Sequence, residues 1–173
     1  MAEMKLTRRS AMFGLLPIAV PRPARAGVAL HQPRDRVILT VSGKIGGFNN
    51  GTTAQFDREM LEELGTTQFT TSTPWYDGPV TFEGVRMSHL MDVLGAQGDT
   101  LIATALNDYE TRIPLSDVVD FNVLMAMKRN GEYMPVRDKG PLFIVYPFDT
   151  DPVLKNQRYY GRCAWQLSQI RTI

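Results

Sequence analysis

The run Leu142-Phe143-Ile144-Val145-Tyr146, closed by Pro147, constrains this chain more than any other stretch. Five apolar residues in a row, with no alternation, read as a strand buried on both faces. Cover for such a strand needs a sizeable core. A chain of 173 residues, 43% hydrophobic and 21% charged, has ordinary globular proportions and supplies one without a staple. Asn130-Gly131, between Val123–Met127 and Tyr133-Met134-Pro135, is the strongest short hairpin signal. Arg36–Gly43, Gln68–Thr73 and Thr100–Ala105 also read as strands. Asp57 as cap and Gly65 as stop bracket a short helix; Ser88 and Gly95 bracket a second, and Ser116 caps a single turn. Trp165-Gln166-Leu167 alternates, but Ile170 and Thr172 break the phase, which predicts a bulge near Ser168-Gln169. The expectation is a single α+β domain with more strand than helix.

The overall charge of +1 averages two unlike segments. Residues 1–26 hold five bases (Lys5, Arg8, Arg9, Arg22, Arg25) against Glu3 alone, leaving 14 bases and 17 acids for residues 27–173. A slightly acidic domain is a poor candidate for nucleic-acid binding. Thr7-Arg8-Arg9, the apolar run Ala11–Val20 and Ala24-Arg25-Ala26 together resemble a twin-arginine export signal cleaved near Ala26. The run is too short to span a bilayer. The expected layout is an export signal over 1–26 and a periplasmic domain over 27–173.

The standard catalytic signatures are missing: there is no Walker loop and no G-x-S-x-G turn. Two histidines, His31 in the start of the mature chain and His89 in a short helix, do not make a zinc site of the usual sort. Cys163 is the only cysteine and reads as a small buried residue in a strand. Polar and aromatic residues instead crowd three loops: Thr73–Pro79 with Trp75, Tyr76 and Asp77; Asn107-Asp108-Tyr109; and Pro135–Pro141 with Arg137, Lys139 and Gly140. Loops on a rigid scaffold are where binding residues concentrate.

Thr40-Val41-Ser42-Gly43, Trp75-Tyr76-Asp77-Gly78, Phe82-Glu83-Gly84-Val85, Asn107-Asp108-Tyr109, Arg137-Asp138-Lys139-Gly140-Pro141-Leu142 and Trp165-Gln166-Leu167 resemble, in order, the sulfite-oxidase-fold, molybdopterin-binding domain family. The resemblance implies a mixed sheet-and-barrel fold whose loops line a pterin cleft. Enzymes of this family hold molybdenum through a cysteine on the segment that here reads Thr66–Trp75, rich in hydroxyls and without Cys. Hydroxyls replace a soft thiolate poorly, and Cys163 lies far downstream of that position. The chain is thereby similar to a small periplasmic subgroup that binds an unconjugated pterin and reports it to a membrane-bound cyclic di-GMP enzyme, a diguanylate cyclase or phosphodiesterase. In that reading there are no catalytic residues and no metal. The alternative is a small oxidoreductase dependent on the molybdenum cofactor.

Trp75 or Tyr109 supplies a stacking face, and Asp77, Asn107 or Asp108 accepts from the amino edge of the pterin. Arg137 or Lys139 donates to its oxo group or side chain; Arg137 forked on a phosphate instead marks a molybdopterin-type ligand. Tyr159, Tyr160 and Arg162, near the last strand, are further candidates. Trp75→Ala is expected to weaken binding and leave a folded domain.

Overall fold

Asp57 shows how local sequence sets the first helix in the computed structural model, which describes residues 29–173. Its carboxylate accepts from the Met60 amide at 2.9 Å and caps helix α1 (Arg58–Glu63), while a second oxygen takes the Arg34 and Asp35 amides. These amide donors, Met60 foremost, hold the carboxyl below its usual range. Met60 and Leu61 face inward, and Glu63 faces out to meet His31. The His31 contact, Nε2 to Oε2 at 2.8 Å, ties the first described residues to α1.

The strands are β1 (Leu39–Gly43), β2 (Ala54–Phe56), β3 (Thr67–Thr73), β4 (Tyr76–Arg86), β5 (Thr100–Ala105), β6 (Glu110–Pro114), β7 (Leu124–Arg129), β8 (Glu132–Tyr133), β9 (Phe143–Val145) and β10 (Leu167–Thr172). The remaining helices are α2 (Met87–Val93), α3 (Leu115–Asp120) and α4 (Gln157–Tyr160). One sheet runs in the order β2-β1-β10-β5-β6, with β1 and β10 parallel. The other runs β3-β4-β7-β8, with β9 also paired to β7. This is the α+β, sheet-rich architecture expected of the sulfite-oxidase type, but neither sheet closes into the anticipated barrel.

Strand β9 is buried at all three positions, as its unbroken apolar run requires. One contiguous core joins Leu39, Leu101 and Ile170 of the first sheet to Phe82, Met125 and Phe143 of the second. The β7–β8 hairpin turns on Asn130 and Gly131, both left-handed at φ 49° and 84°. The register of β10 against β5 shifts between Leu167 and Gln169, where the bulge is expected. Gly84 explains its own motif: a Cβ there would stand 2.1 Å from the Met125 carbonyl oxygen of β7.

The helix caps and the first loop need correction. Ser88 and Ser116 lie inside α2 and α3, because strands β4 and β6 run straight into those helices at Arg86 and Pro114 without a capping side chain. The Thr73–Pro79 loop is only a two-residue turn, Pro74-Trp75, with Tyr76–Pro79 already part of β4. The export signal over 1–26 falls outside the described residues, among which no helix is long and apolar enough to cross a membrane.

Candidate functional site

Three stretches that lie far apart in sequence converge on one cleft. The β3–β4 turn carries Trp75, and the β5–β6 turn carries Asn107 and Tyr109. Helix α4 brings Gln157 and Tyr160, and the link to β10 brings Gly161, Cys163 and Trp165. Together they enclose about 270 Å³. Each turn is fixed locally. Asn107 accepts from the Tyr109 amide at 3.2 Å, and Asp108 takes a left-handed φ of 64°. Asn156 caps α4 by accepting from the Arg158 amide.

The indole of Trp75 is the hub. Its ring meets Phe143 and Trp165 at 5.6 Å, Tyr160 at 6.1 Å and Phe148 at 6.3 Å, all edge to face. Trp165 and Tyr109 stay open to solvent at 36% and 47% exposure. The outer wall is pinned through Gly161, whose carbonyl accepts from the Tyr109 hydroxyl at 3.0 Å and from Thr111 at 2.8 Å. Behind it, the Arg162 guanidinium meets Oδ2 of buried Asp117, and the Tyr146 phenol donates to the same oxygen.

All eight lining residues are uncharged. The Lys139 ammonium stands 5.8 Å from the Trp165 ring and 4.5 Å from that of Tyr76. Cys163 lies in the link before β10, outside any strand, and the fold brings it to the same crevice as Trp75, which its position in sequence conceals. Burial pushes its thiol far above the usual range, and Sγ donates to the Tyr159 carbonyl at 3.5 Å. The described residues hold no group of three or more His, Cys, Asp or Glu able to bind a metal.

The sequence-predicted residues divide accordingly. Trp75, Asn107, Tyr109 and Tyr160 line the cleft, and Lys139 reaches its rim through Trp165. Asp77, Asp108 and Arg137 are exposed and outside the lining. Tyr76 instead donates to Asp138 at 3.1 Å beneath the Arg129 guanidinium. Arg162 is engaged with Asp117 and the Tyr159 ring. Gly140 is buried outside the lining, and a Cβ there would stand 1.8 Å from the Met134 carbonyl oxygen, so close packing requires glycine. Gln157, Gly161, Cys163 and Trp165 line the cleft without having been expected there; the aromatic density of Tyr159–Trp165 is the signal that points to this stretch.

The hydroxyl-rich segment expected to lack a metal ligand is β3. There Thr71 is buried and accepts from the Asp149 amide, while the Ser72 amide donates to Asp149 Oδ2 at 2.6 Å.

A family model described as oxidoreductase molybdopterin binding domain matches residues 53–149, more than half of the chain. The chain belongs to that family. The matched span carries Trp75, Asn107 and Tyr109 of the cleft, while α4 and the Cys163–Trp165 wall follow it. No curated protein matches the chain significantly. Members of the oxidoreductase molybdopterin binding domain family bind a molybdopterin-type cofactor, and the two parts of that group fit this cleft unequally. Flat aromatic walls suit the pterin. The donor set does not suit the metal, since the one sulfur is a buried, protonated thiol already bonded to a carbonyl.

Proposed function

We propose that this chain binds an unconjugated pterin between its aromatic walls, without molybdenum, and serves as a ligand-responsive module rather than an oxidoreductase. The observation that carries the reading is a cleft walled by Trp75, Tyr109, Tyr160 and Trp165 with no charged residue in its lining. Ring stacking contributes about 0.5–1.5 kcal/mol per aromatic pair beyond area burial. The carboxamides of Asn107 and Gln157 each offer a donor and an acceptor, the complement of a pterin's amino-oxo edge. These amides replace Asp77 and Asp108 in that role. Ligand pockets commonly span about 300–1,000 Å³, so 270 Å³ suits a bare bicycle better than a larger phosphate-bearing cofactor.

The export signal read in residues 1–26 supports a periplasmic location for the module. There it passes pterin status to a membrane-bound enzyme that makes or degrades cyclic di-GMP. The rival reading, a molybdenum-dependent oxidoreductase, is favoured by membership of the oxidoreductase molybdopterin binding domain family and by Cys163 at the border of the cleft.

Purification of the full chain from a cell that makes both pterins and molybdenum cofactor separates the two. The expected result is a co-purifying pterin by mass spectrometry, less than a tenth of an equivalent of molybdenum (about background), and calorimetric binding of added pterin that Trp165→Ala abolishes. Near-stoichiometric molybdenum supports the rival and sinks the proposal.

A further inference from the structure

A second concavity, a groove of about 740 Å³, shares a wall with the cleft. One flank is the arm Asp35–Thr40, held by the Asp57 carboxylate at the Arg34 and Asp35 amides and by an Ile38 amide bond to the Phe56 carbonyl. The opposite flank is Met134–Val136 and Pro141, fixed by the Gln166 carboxamide on the Val136 carbonyl at 2.7 Å. Gln166 also receives the Leu106 amide on its own carbonyl and sends its amide to Lys139.

That residue sits in a thin partition. Trp165 before it lines the cleft, and Ser168 after it lines the groove. Leu106 and Asn107 divide the same way in the β5–β6 turn. Among the described residues, nine large hydrophobic side chains are exposed. Val37, Leu106 and Val136 line the groove, and Tyr109 and Trp165 the cleft. Exposed apolar groups gathered into concavities mark sites of interaction.

The charges of the groove select its occupant. Arg36 and Arg58 stand in the lining against Asp35, whose Oδ1 already takes the Arg36 amide. Among the described residues the Arg36 guanidinium has no partner, and that of Arg58 only stacks on Tyr133. The chain's own residues 1–28, with five bases and one acid, carry the wrong sign to fill it. We infer that the groove docks a segment of another protein bearing aliphatic side chains flanked by carboxylates, and that this is the face through which the ligand-bound module reports. The inference rests on the relay reading above.

The test uses the full chain in the cell that produces it, with the photo-crosslinker p-benzoylphenylalanine in place of Val136, or of His89 on α2 as control. Irradiation is expected to join position 136 to a heterologous peptide containing two or more aliphatic residues and at least two carboxylates. The control position gives none, and combining Arg36→Glu with Arg58→Glu lowers the yield at least about fivefold. An adduct to a second copy or to residues 1–28 overturns the inference. So does equal yield from position 89, or a yield indifferent to the charge reversal. Calorimetry with pterin on the same variants keeps the two ideas apart. Pterin binding without a crosslink defeats the docking face alone, and a crosslink without pterin binding defeats the ligand reading alone.

Discussion

Asp117 and Arg162, 45 residues apart in sequence, form the ion pair behind the cleft wall, with side-chain exposures of 8% and 20%. The Tyr146 phenol shares the carboxylate at 2.9 Å, and burial drives its ionisation far above the usual tyrosine range, so it stays a donor. Asp117→Ala strands a guanidinium and a phenol together and is expected to cost about 3–5 kcal/mol, read as a lower urea midpoint. Asp117→Leu combined with Arg162→Met should lose clearly less. Equal losses would mean that the charges themselves contribute little.

Trp75 is more deeply committed than a loop aromatic. Because its ring contacts Phe143, Phe148, Tyr160 and Trp165, Trp75→Ala is expected to destabilise the domain by about 2–4 kcal/mol as well as abolish pterin binding. Trp165→Ala, at the solvent edge, should abolish binding with a melting temperature within a few degrees of the parent. The ring contacts thus add a stability cost to the loss of binding expected from sequence alone. A Trp75→Ala protein of unchanged stability would show that these contacts contribute little to the fold.

Asp149 predicts a pH dependence. The Lys155 ammonium at 2.7 Å, then the Ser72 amide, hold its carboxyl down to about 2, against an ordinary 3.8. A carboxyl lowered in the folded state stabilises above the unfolded value and ceases to do so as pH falls through the folded one. The melting temperature of Asp149→Asn should thus lie below the parent's at pH 6. The gap should close between about pH 4 and pH 2. A gap constant across that range would assign the effect to hydrogen bonding alone.

Cys163 should behave as an inert thiol. Iodoacetamide at pH 8 is expected to label it only after urea unfolding, since burial keeps the sulfur protonated. Cys163→Ser should retain pterin affinity within about threefold. Rapid labelling of the native protein, with binding lost on alkylation, would bring the sulfur into the site.

What the sequence made legible was local. The Asp57 cap, the Asn130-Gly131 turn, the doubly buried β9 and the β10 bulge are each decided by a few neighbouring residues. Strand β4 was hidden by Pro79, which the fold tolerates because pairing to β7 begins only at Phe82. The parallel pairing of β1 with β10 leaves no local mark. The cleft was half visible. Trp75, Asn107 and Tyr109 sit on turns that announce themselves, whereas Cys163 and Trp165 join them across a third to a half of the chain. Charges near those turns drew attention that the neutral lining does not sustain, because Arg162 is paired with Asp117 and Asp138 accepts from Tyr76, partners distant in sequence.

The contact between Trp75 and Trp165 has a practical consequence, because these are the only two indoles the chain possesses. Both border the same cavity and neither borders the groove beyond the partition. Intrinsic ultraviolet emission from the unlabelled protein is therefore a gauge of one site alone. Quenching tracks the small heterocycle, and a macromolecule without tryptophan can settle on the other side almost in the dark.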